Sequence, residues 1–323
     1  SYGLPRFRGA AVRGAEFQAR FPFGTITLTD PRVPLEVEIT GWSPFTPGDA
    51  DRSSLPVAAL EYRFRNPTDA PVEAVYSFHA HHFLAVQPEA GEVLATENGF
   101  VLWQAGSIAR PWDQGAFSAT VDDPGTAVNC AWFRGGWFDP LTVVWKSVAE
   151  GTMPEGPPIE EGRPSSGGSL YVPIQLAPGE QKVVRLRLAW HVPETGLRRG
   201  QDPVQDEDCT DKDCTDEGCT DEGCCAAASQ THRPWYAAAF ADIEAVTAYW
   251  REHYGDLRRL SATFRDCFYD TTLPPEVVEA VAANLTILKS PTVLRQADGR
   301  LWCWEGCHDD AGCCEGSCTH VWN

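Results

Sequence analysis

FPFGTITLTDPRVPLEVEITGWSPFTPGDADRSSLPVAALEYRFRNPT, residues Phe21 to Thr68, is the stretch on which the fold turns. Thr25-Ile26-Thr27-Leu28-Thr29 alternates polar and apolar residues, and Leu35-Glu36-Val37-Glu38-Ile39 does the same. Successive side chains of a strand point to opposite faces, so each alternation gives a strand with one face inside. Val57 to Phe64 is a longer run of β-branched, aromatic and aliphatic residues, closed by Pro67. Asp-Pro, Pro-Gly and Asn-Pro steps separate these runs and mark turns.

Moving outward, the same grammar continues to about Val192. Candidate strands are Val72 to Phe78, Val93 to Ala95 and Phe100 to Trp103 around an Asn98-Gly99 turn, Ala116 to Val121, Ala127 to Phe133, Leu141 to Trp145, Leu170 to Ile174 and Val183 to Trp190. About ten short strands at close spacing predict a β-sandwich over residues 1–200. The run Glu150 to Gly168, rich in Pro, Gly, Ser and Glu, reads as a loop because strands resume after it.

Residues 201–231 differ in kind. CTDKD, CTDEG and CTDEG recur at a five-residue period and end in Cys224-Cys225. Nine acids and one lysine lie between Asp206 and Gly223, so the insert holds too little apolar surface to fold independently and reads as an acidic linker.

From 232 to 323 the period becomes helical. Tyr236, Phe240, Ile243, Val246 or Thr247, and Trp250 fall on one stripe, with Gly255 as the expected stop. A second helix is expected from Asp256 to Phe268. A third has Thr272 as N-cap, Pro274 and Pro275 in its first turn, and Val277, Val281, Leu285 and Leu288 facing inward. Thr292 to Leu294, the turn Ala297-Asp298-Gly299 and Leu301 to Trp304 read as a hairpin that delivers Glu305. Three helices do not close a domain, so this part reads as the opening of a larger helical one.

Composition narrows the functions. The chain has 323 residues, 43% of them hydrophobic, which is ample for a core. A net charge of −19 repels polyanions and argues against a nucleic-acid partner. No apolar run reaches the roughly 18 residues of a membrane span. Of the twelve cysteines, five lie at 209–225 and five at 303–318. A chain able to build a core has little need of a disulfide scaffold, so reduced thiols and a cytoplasmic location are expected. The sequence opens at Ser1 without a methionine or a charged-then-apolar leader, so a targeting segment, if the gene has one, is expected to lie outside it. Gly-rich phosphate loops, G-x-S-x-G elbows and H-E-x-x-H pairs are absent.

WCWEGC, Trp302 to Cys307, sets one carboxylate among aromatic residues, the combination a sugar site uses. On local sequence alone Glu305 has two readings: a reactive carboxylate at a strand end, or a surface acid, the commoner case. The cysteines around it lack the paired C-x2-4-C spacing of structural zinc, so buried thiols shaping a tight loop are preferred over a metal site. His79, His81 and His82 invite a metal reading, yet strand histidines are more often half-buried and hydrogen-bonded. No metal and no cofactor is expected.

Two of these stretches extend beyond composition. Phe21 to Thr68 resembles the N-terminal domain of glycoside hydrolase family 116, the family of the non-lysosomal glucosylceramidase and of bacterial β-glucosidases. RLWCWEGCHDDAGCCEGSCTHVWN, Arg300 to Asn323, resembles the entry to the catalytic domain of bacterial members. The resemblance spans nearly the whole chain except the acidic insert. It implies an N-terminal β-sandwich followed by an (α/α)6 barrel, of which 232–323 would be the first helices. It also implies a retaining attack on β-glucosides, in which Glu305 is the nucleophile by motif match and the acid/base Asp lies beyond Asn323. Trp304 and His320 are candidate substrate contacts. His320 stands where some members carry a sugar-binding Asp. The expected partners are a β-linked glucoside and the helical domain that would follow. The competing expectation is a non-catalytic carbohydrate-binding or structural sandwich module.

Overall fold

The computed structural model describes residues 14–86, 90–137, 139–196, 232–290 and 293–303. Eleven strands form two antiparallel sheets among these residues. In chain order they are β1 (Gly14–Arg20), β2 (Phe23–Thr29), β3 (Glu36–Trp42), β4 (Val57–Arg65), β5 (Val72–His81), β6 (Glu92–Thr96), β7 (Gly99–Gln104), β8 (Gly115–Thr120), β9 (Ala127–Asn129), β10 (Gly167–Leu176) and β11 (Gln181–His191). The larger sheet runs β1-β2-β3-β4-β11-β8-β7-β6 and the smaller β5-β10-β9.

The first half of the large sheet is a meander in which the alternating runs pair as read: Ile26 lies opposite Ile39, and Ile39 opposite Tyr62. β11, the long Val/Leu/Arg alternation, enters the centre of this sheet. It places Leu186 opposite Leu60 of β4 and Ala189 opposite Ser118 of β8. At the Asn98-Gly99 turn Asn98 adopts φ 54°, a left-handed conformation that Asn tolerates. Gly99 is required for a different reason, because a Cβ there would come within 2.0 Å of the Ala119 carbonyl.

Side chains alternate along the strands, and over the sheet inside the exposed edge strand β1 both apolar faces are covered. Phe100, Leu102, Ala119, Val121, Val184 and Leu186 pack on Leu170, Val172, Ile174 and Leu176 of the small sheet, forming the inter-sheet core. On the reverse face Phe23, Trp42, Val57, Ala59, Val101, Ala116 and Ala189 meet a helix. That helix is α4 (Ile243–Tyr269). Its residues Ile243, Val246, Trp250, Tyr254 and Leu257 fall at three- and four-residue spacing on the side facing the sheet. The architecture is a mainly β sandwich with a long helix as a third layer.

The helices are α1 (Ala50–Ser53), α2 (Pro140–Glu150), α3 (Trp235–Ala239), α4 and α5 (Pro275–Leu285), and a hairpin of β12 (Val293–Arg295) and β13 (Leu301–Cys303) follows. Three expectations are corrected here. Leu141 to Trp145 is not a strand but part of α2. Asp139 caps the first turn by accepting from the Leu141 amide at 2.9 Å, Pro140 takes the first helical position, and Gly151 closes the end at φ 63°.

Gly255 does not stop a helix either. The two helices expected around it are one continuous α4, because Tyr254, Leu257 and Ser261 continue the buried stripe on the sheet, and that packing outweighs the glycine. In α5, Pro274 rather than Thr272 occupies the cap position. Val278 and Ala282 are the buried residues, whereas Val277, Val281 and Leu288 are 45%, 47% and 51% exposed. The apolar stripe of α5 is wide, and the surface it meets covers only one edge of it.

Candidate active site

The hairpin read from the sequence forms where expected, with Val293 opposite Cys303 and Arg295 opposite Leu301. Its turn closes through the Gln296 amide donating to the Arg300 carbonyl at 2.8 Å, with Gly299 at φ 89°. Trp304, Glu305 and His320 lie outside the described residues, as does the cysteine-rich run between Glu305 and His320. The segment that leads into Glu305 is described up to Cys303, and its anchorage can be read.

Two cations tie that segment to the sandwich. Lys289, in the turn after α5, donates from Nζ to the Ser53 carbonyl at 2.7 Å, and burial pushes its ammonium pKa down to about 8. Arg295 donates from Nη1 to Asp51 at 2.7 Å, and its guanidinium lies 4.6 Å from the centre of the Trp235 ring. Ser53 and Asp51 both belong to α1, the short helix between β3 and β4. The backbone adds a bridge between Pro234 and Gln296, and the Ala297 amide donates to the Arg233 carbonyl. The hairpin that precedes Glu305 is therefore bound to the β3–β4 connection and to the residues entering α3.

The acidic insert is also bounded by defined geometry. Thr195 and His232 exchange backbone hydrogen bonds of 2.8 and 2.9 Å across it, so the chain leaves and re-enters at one β-bridge. Residues 201–231 lie outside the described residues.

Two of the three histidines singled out from the sequence, His79 and His82, are held within the sandwich. His79 contacts Ser169 Oγ at 2.8 Å through Nδ1 and Ser77 Oγ at 2.9 Å through Nε2, so both ring nitrogens are engaged by hydroxyls. Burial lowers its pKa to about 4, and the ring is neutral at pH 7. His82 sets Nε2 against the carbonyls of Glu92 and Trp103, while His81 is exposed.

Sequence reasoning passed over one carboxylate. Glu61 is buried between the large sheet and α4, where it accepts from Tyr254 Oη at 2.5 Å and from Arg258 Nε and Nη2 at 2.6 and 2.7 Å. Burial by itself pushes its pKa up, but the Arg258 and Tyr254 hydrogen bonds outweigh burial and hold it below the ordinary carboxylate range. A general acid must carry a proton near neutral pH, so Glu61 is unsuited to that role and instead ties helix to sheet. The parity of Val57, Ala59 and Glu61 along β4 places the three on one face, the one signal the sequence carries for it.

Comparison with known proteins gives the family. The family described as beta-glucosidase 2, glycosyl-hydrolase family 116 N-terminal, matches residues 6–257, across the insert and into α4. The chain belongs to glycosyl-hydrolase family 116 by its N-terminal domain. No curated protein matches it. Among solved structures, a putative kojibiose phosphorylase from the human microbiome aligns at 9% identity and a TM-score of 0.27, over 52% of this chain and 17% of that one, a likeness too slight to define the fold. For this family-116 chain the glycosidase class thus rests on the matched domain. No described helix is long and apolar enough to cross a membrane.

Proposed function

We propose that this family-116 chain is the N-terminal portion of a retaining β-glucosidase of the glucosylceramidase type, with Glu305 as its nucleophile. Three parts are proposed: the sandwich over 1–200, the acidic insert over 201–231, and the start of an (α/α)6 catalytic barrel over 232–323. The observation that carries the reading is the family match over residues 6–257, and the anchored hairpin ending two residues before Glu305 supports it.

In this mechanism the Glu305 carboxylate attacks the anomeric carbon as the bond to the aglycone oxygen breaks. An Asp beyond Asn323 gives its proton to that oxygen. Water, deprotonated by the same Asp, then attacks the anomeric carbon and releases Glu305 and glucose. The two carboxyls of a retaining pair stand about 5 Å apart. Trp304 supplies a ring for the sugar and His320 a polar contact. The natural substrate is a β-glucoside, and a soluble cytoplasmic enzyme fits the expected free thiols.

Without the acid the leaving alkoxide is unprotonated, a loss of about 10²- to 10⁴-fold. The purified 323-residue chain should therefore give no detectable turnover of octyl β-glucoside, whose alkoxide leaves only with a proton. The product of the reading frame extended past Asn323 should hydrolyse it, and Glu305→Gln should abolish that activity. Turnover by the 323-residue chain itself, lost in Glu305→Gln, would refute the placement of the acid. A stop codon directly after Asn323 would favour the non-catalytic sandwich module.

A further inference from the structure

The loop residues Cys130 to Trp137, which follow β9, present aromatic rings on a fixed base. Its stem is held by buried polar contacts: the Trp132 amide donates to Ser165 Oγ at 2.9 Å, and Trp132 Nε1 donates to Ser169 Oγ at 2.8 Å. The Cys130 amide donates to the Gly156 carbonyl at 2.8 Å, and Arg134 Nη1 reaches the Arg163 carbonyl at 2.7 Å. Toward the tip the Phe133 ring folds over Gly135, where a Cβ would lie 2.3 Å from its Cζ. The Trp137 ring stands edge-on to Phe133, with centroids 5.4 Å apart and planes at 73°. Trp137 is 76% exposed.

At 76% exposure the indole keeps most of its ring surface open to a ligand, on a loop tied down at its base. Among the described residues, those preceding it on the loop are Arg134, Gly135 and Gly136, and a Cβ at Gly136 would meet nothing within 4 Å. The two glycines add no aliphatic surface for a protein helix to bury, and Gly136 opens onto solvent. The exposed aliphatic residues nearest in sequence, Val143 and Val148, belong to α2 and not to the loop. An open aromatic face with a guanidinium three residues away suits a flat ligand with an apolar face and a rim of hydroxyls. Equatorial substitution gives β-linked glucose that shape: axial C–H bonds cover both faces, and the hydroxyls lie at the edge. Arg134 has N–H donors beyond the one given to Arg163 with which to meet them.

We propose that the Phe133–Trp137 loop tip is a carbohydrate-binding platform on the sandwich that stacks a β-linked glucose residue on Trp137. The choice of ligand class rests on the glycosidase reading, whereas the platform requires no catalysis.

The test is titration of the 323-residue chain with cellotetraose by calorimetry, together with its retardation in a native gel containing soluble β-glucan. Saturable binding should be weakened about tenfold in Trp137→Ala, the scale of one lost ring contact. It should also weaken in Gly135→Ala, which displaces the Phe133 ring. Both variants should keep the wild-type far-UV spectrum and melting temperature. Absence of binding by the wild-type chain would overturn the proposal, as would undiminished binding by Trp137→Ala. So would self-association of the wild-type chain in sedimentation velocity that Trp137→Ala abolishes, because the loop would then be a contact between copies. Failure of the extended enzyme to hydrolyse β-glucosides, with cellotetraose binding retained, would remove the catalytic reading and leave the platform standing.

Discussion

Glu61 sits where β4 would otherwise offer α4 another aliphatic residue, and it keeps its charge there because Arg258 forks onto both of its oxygens. Glu61→Gln leaves Arg258 facing a neutral amide. The expected cost is about 2–3 kcal/mol, below that of a fully enclosed pair because Arg258 remains 41% exposed. The sign with pH follows from the lowered carboxylate pKa. The unfolded chain binds the proton more readily, so the stabilisation is complete above the ordinary Glu range and is lost as pH falls through the folded-state pKa. Urea melts at pH 7 and pH 4 should therefore show a smaller penalty for Glu61→Gln at pH 4. An equal penalty at both would mean that the interaction does not depend on charge. At this scale the sequence was partly legible. His79 was read as a hydrogen-bonded strand histidine, and its two serine contacts agree. Glu61 was not noticed, since alternation marks which residues share a face without saying that a helix will cover it.

Among the elements, α4 offers the clearest substitution. Gly255 is helical and exposed, and a Cβ there would meet nothing within 4 Å. Gly255→Ala should therefore stabilise the chain by about 0.5–1 kcal/mol, read as a higher urea midpoint with an unchanged slope. A lower midpoint would show that the glycine serves a purpose absent from these contacts. The acidic insert calls for a different experiment. Because Thr195 and His232 already form a bonded pair, replacing residues 196–231 with Asn-Gly turns the bridge into a tight hairpin. The shortened chain should stay soluble and melt within about 2 °C of the parent, the small change expected when a loop closed at its base is removed. Loss of the folded far-UV signal would show that the sandwich depends on the insert. The misreading of α2 is instructive at this scale. Val143-Val144-Trp145 has strand propensity, and the Asp139, Pro140 and Gly151 caps that make it a helix lie just outside the run.

Across the whole molecule, the large sheet is apolar on both faces, and α4 is what closes the second. Trp250 is 1% exposed, packed 5.2 Å from Trp42 and 4.9 Å from Tyr254 between ring centroids. Trp250→Ala should cost about 3–5 kcal/mol, a large part of the roughly 5–15 kcal/mol that holds a domain folded, and should lower the urea midpoint accordingly. A cost under about 1 kcal/mol would mean that the helix is not integral to the sandwich.

From the sequence alone one can read that the chain is mainly β, that helices follow an acidic insert, where the Asn98-Gly99 and Ala297-Asp298-Gly299 turns fall, and that a hairpin precedes Glu305. These follow from local chemistry: side-chain period, turn residues and caps act within a few positions. Tertiary structure alone decided that β11 lies between β4 and β8, that α4 runs unbroken past Gly255, that Val278 rather than Val277 faces inward, and that Asp51 and Ser53 hold the hairpin leading to Glu305. Those outcomes depend on which apolar surface finds which partner, and a periodicity of two or of 3.6 residues defines a face without naming what will cover it.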